Sequence, residues 1–96
     1  MKSLASNLVM KEKIETTVTR AKEIRPLVEH LVTIAKRQNL ASFRLVLAKL
    51  PKKPAQKIFY DLAPKYKDRH GGYLRIVKSA KARKRDGVSL AIIEFV

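Results

Sequence analysis

The sequence has no cysteine, and that one absence removes disulfides, thiolate metal sites and thiol nucleophiles together. Acids are scarce: 8 Asp and Glu stand against 22 Lys and Arg, too scattered to give a pair spaced for general acid–base work. His30 and His70 are far apart, with no carboxylate cluster beside them, and make a poor metal site. His70 is expected to meet RNA or solvent, and His30 to sit on a polar face. No apolar run approaches the ~20 residues of a membrane-spanning helix. Residues 4–10 are interrupted by Ser6 and Asn7 and closed by Lys11, Glu12 and Lys13, which does not suit a signal peptide. Nucleotide-binding glycine loops, nucleophile elbows, zinc-finger spacings and the aromatic ribonucleoprotein signature are missing too. The expectation is a small intracellular domain with no enzyme activity, no cofactor and no metal.

What is present fits one domain over residues 1–96. A chain of 96 residues buries roughly 60–70% of its unfolded surface, enough for one modest core, and 46% hydrophobic content can fill it. The formal charge is +14, an excess that repels itself in the compact state and calls for a polyanionic partner.

Leu4, Ala5, Leu8 and Val9 share a helical face, with Ser3 as N-cap. Ile14-Glu15-Thr16-Thr17 reads as a short edge strand. A long helix follows over about residues 19–37, where Val18, Ala21, Val28, Leu31, Val32 and Ala35 recur at helical spacing and Pro26 predicts a kink. Asn39 predicts the cap of a third helix with Leu40, Phe43, Leu47 and Leu50 on its buried face, ended by Pro51. Pro54 reads as the first residue of a fourth, carrying Ala55, Ile58, Phe59 and Leu62, and Pro64 as its stop or the start of a separate turn. Gly71-Gly72 marks a turn needing positive φ. Beyond it, residues 73–77 and 88–96 are β-branched and aromatic, with Asp86-Gly87 as turn chemistry. The order is α-β-α-α-α-β-β: an α/β (α+β) sandwich with helices packed on a small mixed three-stranded sheet.

The charge is concentrated. Residues 65–85 hold nine cations (Lys65, Lys67, Arg69, Arg75, Lys78, Lys81, Arg83, Lys84, Arg85) against one acid, Asp68, a formal +8 of the +14. A solvated hairpin tip would explain some of this. Solubility is served by mixed charge, however, and residues 81–85 are cationic without a single acid, as suits a loop entering a groove of nucleic acid. In the turn Arg69-His70-Gly71-Gly72-Tyr73, two glycines let backbone amides approach phosphate, Arg69 and Arg75 offer planar donor forks, and Tyr73 can stack on a base. The same turn reads equally as a helix-to-strand connection with Tyr73 in the core. Arg20, Lys22, Arg25, Lys36 and Arg37 add a second cationic set on the long helix, although Lys36 and Arg37 also suit the negative end of its dipole.

Ile14-Glu15-Thr16-Thr17, Arg20-Ala21-Lys22-Glu23-Ile24-Arg25-Pro26-Leu27-Val28-Glu29 and Leu31-Val32-Thr33-Ile34-Ala35-Lys36 resemble the bacterial-type large-subunit ribosomal protein seventeen family. So do Lys57-Ile58-Phe59 with Leu62, Arg69 with Gly71-Gly72-Tyr73-Leu74-Arg75-Ile76-Val77-Lys78, and Ala91-Ile92-Ile93-Glu94-Phe95-Val96. The resemblance spans the chain. It implies a structural constituent of the large ribosomal subunit that binds large-subunit ribosomal RNA and neighbouring ribosomal proteins near the peptide exit tunnel. It further implies a monomer when free, ribosome-bound in the cytoplasm or an organelle, with no membrane partner. Family members usually begin with a basic arm ahead of the segment matching Met1-Lys2-Ser3-Leu4, and many continue into a polar tail; neither is in this sequence. From composition and element order alone, the alternative is a winged-helix-like DNA-binding module whose basic hairpin serves as the wing.

Overall fold

The computed structural model describes residues 2–82 and 89–96. Helix α1 (Lys2–Lys11) buries Ala5, Leu8 and Val9 completely. Ser3 lies inside this helix rather than capping it, because the helical backbone already begins at Lys2. Glu12 takes a left-handed φ of 62° and turns the chain into β1 (Lys13–Thr17). Lys57 secures this corner, its Nζ donating to the Met10 carbonyl at 2.8 Å and pairing with Glu12 Oε2 at 3.3 Å.

Thr17 ends β1 and caps α2 (Val18–Ala35), its Oγ1 accepting from the Arg20 amide at 3.2 Å. The helix continues past Pro26, with Ala21, Ile24, Val28, Leu31, Val32, Ile34 and Ala35 buried. Gln38 leaves it at a positive φ of 53°, its side-chain amide donating to the carbonyls of Ala35 and Phe59, both at 2.8 Å. Asn39 caps α3 (Leu40–Lys49) as expected, in a reciprocal capping box with Ser42. The buried face of α3 matches the expected one in part: Leu50 at its C-cap is buried and Phe43 packs against the core. Ser42 and Val46 point inward, while Leu40 is 64% exposed and Leu47 is exposed too. Two apolar stripes interleave on this helix, and burial of Ser42 is tolerated because its hydroxyl is already bonded to Asn39.

The next helical stretch begins two residues before Pro54, at Lys52. It runs as α4 (Lys52–Lys57), a π-helical turn (Ile58–Leu62) and α5 (Ala63–Lys65). Pro64 does not stop it. The Phe59 carbonyl, five residues before the proline that lacks an amide, accepts from the Gln38 side chain instead.

Strands β2 (Leu74–Ala82) and β3 (Ser89–Phe95) complete a sheet of order β1-β3-β2 in which both pairings are antiparallel. The expected mixed sheet is therefore corrected. β1 and β2 run in the same direction, but β3 lies between them, so no parallel pair forms. β1 is an edge strand as expected, and β2 reaches beyond Val77 through a register shift between Lys78 and Ala82. The Asp86-Gly87 turn and Val88 lie outside the described residues. Helix α2 covers one face of the sheet, where Leu74, Ala91 and Ile93 are buried. The opposite face carries the cross-strand row Lys13, Glu94, Arg75.

Candidate nucleic-acid interface

Both glycines of the turn between α5 and β2 adopt left-handed backbone, φ 84° at Gly71 and 64° at Gly72, which L-residues adopt only with strain. The turn is tied to α2. Glu29 Oε1 accepts from the Gly72 amide at 3.0 Å, and Glu29 Oε2 accepts from Arg25 Nε at 2.8 Å. Arg69 folds back, its Nε donating to the Gly72 carbonyl at 3.1 Å. Lys36 Nζ donates to the Arg69 carbonyl and, at 3.0 Å, to the Tyr73 hydroxyl, which donates in turn to the Arg69 carbonyl at 3.2 Å. Tyr73 is 1% exposed and touches the Tyr66 ring. Burial pushes the Tyr73 phenol up, but hydrogen bonds from Lys36, Thr33 and the Gly71 backbone, with the Lys36 charge, outweigh it and hold the phenol below its ordinary range.

Of the two readings left open for this turn, the structure matches the helix-to-strand connection with Tyr73 in the core. The Tyr73 ring is core and is not offered to a base. The Gly72 amide faces a carboxylate rather than a phosphate. Lys36 is committed to holding the turn rather than lying along the helix end for the dipole alone.

Other cations face outward around this anchored turn. Lys22 and Arg25 line a groove of about 420 Å³ between α2 and β2, with Pro26, Glu29 and Ile76. Arg75, whose side chain is 62% exposed, pairs with Glu94 Oε1 at 2.7 Å. Lys78 is exposed further along the same edge strand. On the other side of the turn, Lys65 lines a hollow of about 490 Å³ with Tyr66, Asp68, Val96 and the folded-back Arg69, and Lys67 and His70 are exposed beside it. Two cations of the set expected on the long helix stand apart, Arg20 within α2 and Arg37 just past its end. Arg20 lies about 160° around the helix from Lys22, and Arg37 lines a separate groove between α2 and α3. His30 is exposed and lines that same groove, whose floor is apolar, with Arg37 and Lys49. Arg83, Lys84 and Arg85 lie outside the described residues, and Lys81 is described as β2 backbone. Among the described residues no three His, Asp or Glu side chains gather where they could hold a metal ion.

The sequence model of the family described as ribosomal protein L17 matches residues 1–96. The chain belongs to the ribosomal protein L17 family. The large ribosomal subunit protein bL17 of Hydrogenobaculum sp. is 50% identical over 97 residues, taking in 100% of this chain and 82% of that protein. The bL17 of Persephonella marina is 50% identical, covering 98% and 77%. The bL17 of Thermus thermophilus is 46% identical, covering 96% and 79%. Membership of the L17 family decides against the winged-helix alternative.

For this L17-family chain, reasoning from sequence missed two acids that organise the cationic edge, Glu29 and Glu94. The Arg25–Glu29 spacing of four residues signals a helix pair. Nothing local signals that Glu29 also receives the amide of Gly72, which is 43 residues away. Glu94 is flanked by Arg75 and Lys13, at 2.7 and 3.9 Å, an arrangement fixed by strand register alone.

Proposed function

We propose that this chain is a non-enzymatic constituent of the large ribosomal subunit that binds large-subunit ribosomal RNA along the β2 edge, beside neighbouring ribosomal proteins and near the peptide exit tunnel, and that it is a monomer when free. The observation that carries this reading is the set of exposed cations (Lys22, Arg25, Arg75, Lys78, Lys65, Lys67) on both sides of a turn that Glu29, Arg69 and Lys36 hold by hydrogen bonds within the protein. A pre-tied turn presents its cations with little ordering cost. Phosphate contacts supply most of the affinity through counterion release, and RNA shape rather than base edges sets specificity. In sequence, Lys81 near the end of β2 and Arg83, Lys84 and Arg85 just after it add four more cations to the same stretch.

The test is affinity for large-subunit ribosomal RNA against salt. With six or more phosphate contacts, affinity falls by about 10³-fold or more between ~50 and ~200 mM salt. Lys22→Ala combined with Lys78→Ala lowers the slope of log affinity on log salt by about two. A salt-independent affinity, or a double variant with an unchanged slope, overturns the reading.

A further inference from the structure

The groove between α2 and α3 has no part in the RNA reading. Its floor is aliphatic: Leu31 and Ile34 are buried beneath it, Leu27 is half-buried, and Leu45 is 48% exposed at its side. Its volume is about 360 Å³, within the ~300–1,000 Å³ range of ligand clefts. Arg37, Lys49 and His30 stand around this floor, and no acid is among the residues that line it. Glu23, one turn before Leu27, lies beyond its end.

We propose that this groove docks a partner protein through an amphipathic segment whose bulky aliphatic side chain enters between α2 and α3 while flanking carboxylates meet Arg37 and Lys49. Two features choose this occupant over RNA. The floor has no aromatic ring on which a base could stack. Its exposed apolar surface is the kind that gains by excluding water from another aliphatic side chain. The rim charge then selects the sign of the partner, since a basic segment would place like charges against Arg37 and Lys49.

The test uses the full chain and a dye-labelled helical peptide of Glu and Leu, with Leu at every third or fourth position, read by fluorescence anisotropy. Because the protein is strongly cationic, the decisive comparison is a twin peptide with Ala for Leu. The Leu peptide binds at least about tenfold tighter than the twin, the difference expected for burying one leucine. Leu45→Asp removes most of that advantage, and Arg37→Glu with Lys49→Glu weakens binding by at least about tenfold. Lys52→Glu with Lys53→Glu, the same charge change on α4, shifts it less than about threefold. All these variants leave ribosomal RNA affinity within the change expected from net charge, so failure here is separable from failure of the RNA reading. Equal binding of the two peptides, or retention of the leucine advantage in Leu45→Asp, overturns the proposal. So does a loss of RNA binding specific to Leu45→Asp, which would make the groove an RNA surface.

Discussion

The glycine turn and the groove beside it are built from the same residue types and use them in opposite directions. At the turn, Lys36 and Arg69 aim their donors into the protein, at the Tyr73 hydroxyl and at the Arg69 and Gly72 carbonyls. In the groove, Lys22 and Arg25 border open space between α2 and β2. A count of cations treats all four alike. What separates them is where the acceptor lies: Arg25 meets only Glu29, one turn along its own helix, while the acceptors of Lys36 come from residues 33 and 37 positions later in the chain. On the proposed RNA reading, turn cations should therefore govern stability, and groove cations affinity.

The largest effect that could break this division is at Tyr73. A ring 1% exposed, packed on Tyr66 and bonded through its hydroxyl, is a core residue. Tyr73→Ala is expected to cost about 3–5 kcal/mol in chemical denaturation, as for other buried aromatics. RNA affinity, measured at a temperature where the variant is still folded, stays within a few-fold. A variant with unchanged stability and lost affinity would return the ring to the RNA.

Gly72→Val comes next. A β-carbon at Gly72 would meet nothing closer than Arg69 Nη2 at 3.9 Å, an ordinary contact, so the cost is backbone strain rather than a clash. A β-branched residue held at φ 64° costs on the order of 1–3 kcal/mol. Denaturation midpoints measure it directly. Gly72→Asn, a residue that tolerates left-handed backbone, should recover much of the loss. If valine and asparagine destabilised equally, space and not φ would be the constraint.

Much of the fold was legible because local signals agreed with it. The α2 stripe, the Asn39 cap and the positive φ of the glycine pair all follow from residues within a few positions of one another. The α3 face was legible only in part: Phe43 and Leu50 pack as expected, but Leu40 and Leu47 share their helical spacing, and only packing turns Ser42 and Val46 inward in their place. The sheet was misread as mixed because the sequence does not show which strand takes the centre. At the candidate site, the glycines and most outward cations could be found by composition. Glu29 and the inward role of Lys36 could not, since each bond joins segments brought together only by folding.

Glu29 gives the smallest effect and the sharpest comparison, because it touches both regions. One oxygen holds the Gly72 amide and the other holds Arg25 at the groove. Glu29→Gln keeps a side-chain oxygen for the amide but removes the charge, so the turn loses only the charge-assisted part of one hydrogen bond and an exposed i,i+4 pair. Stability should fall by about 1 kcal/mol or less. RNA affinity should rise, since a negative charge no longer stands beside the phosphates. One unit charge at ~7 Å in water is worth about 0.6 kcal/mol, a factor of about three. The gain should shrink at high salt, as screening requires. Arg75→Ala is the opposing control. It removes an exposed cation whose pairing with Glu94 adds little stability, so affinity should fall while the melting temperature barely moves. If Glu29→Gln instead weakened RNA binding at every salt concentration while leaving the protein folded, the carboxylate would be holding the turn in the shape RNA recognises. The turn would then belong to the interface, and the division between inward and outward cations would fail.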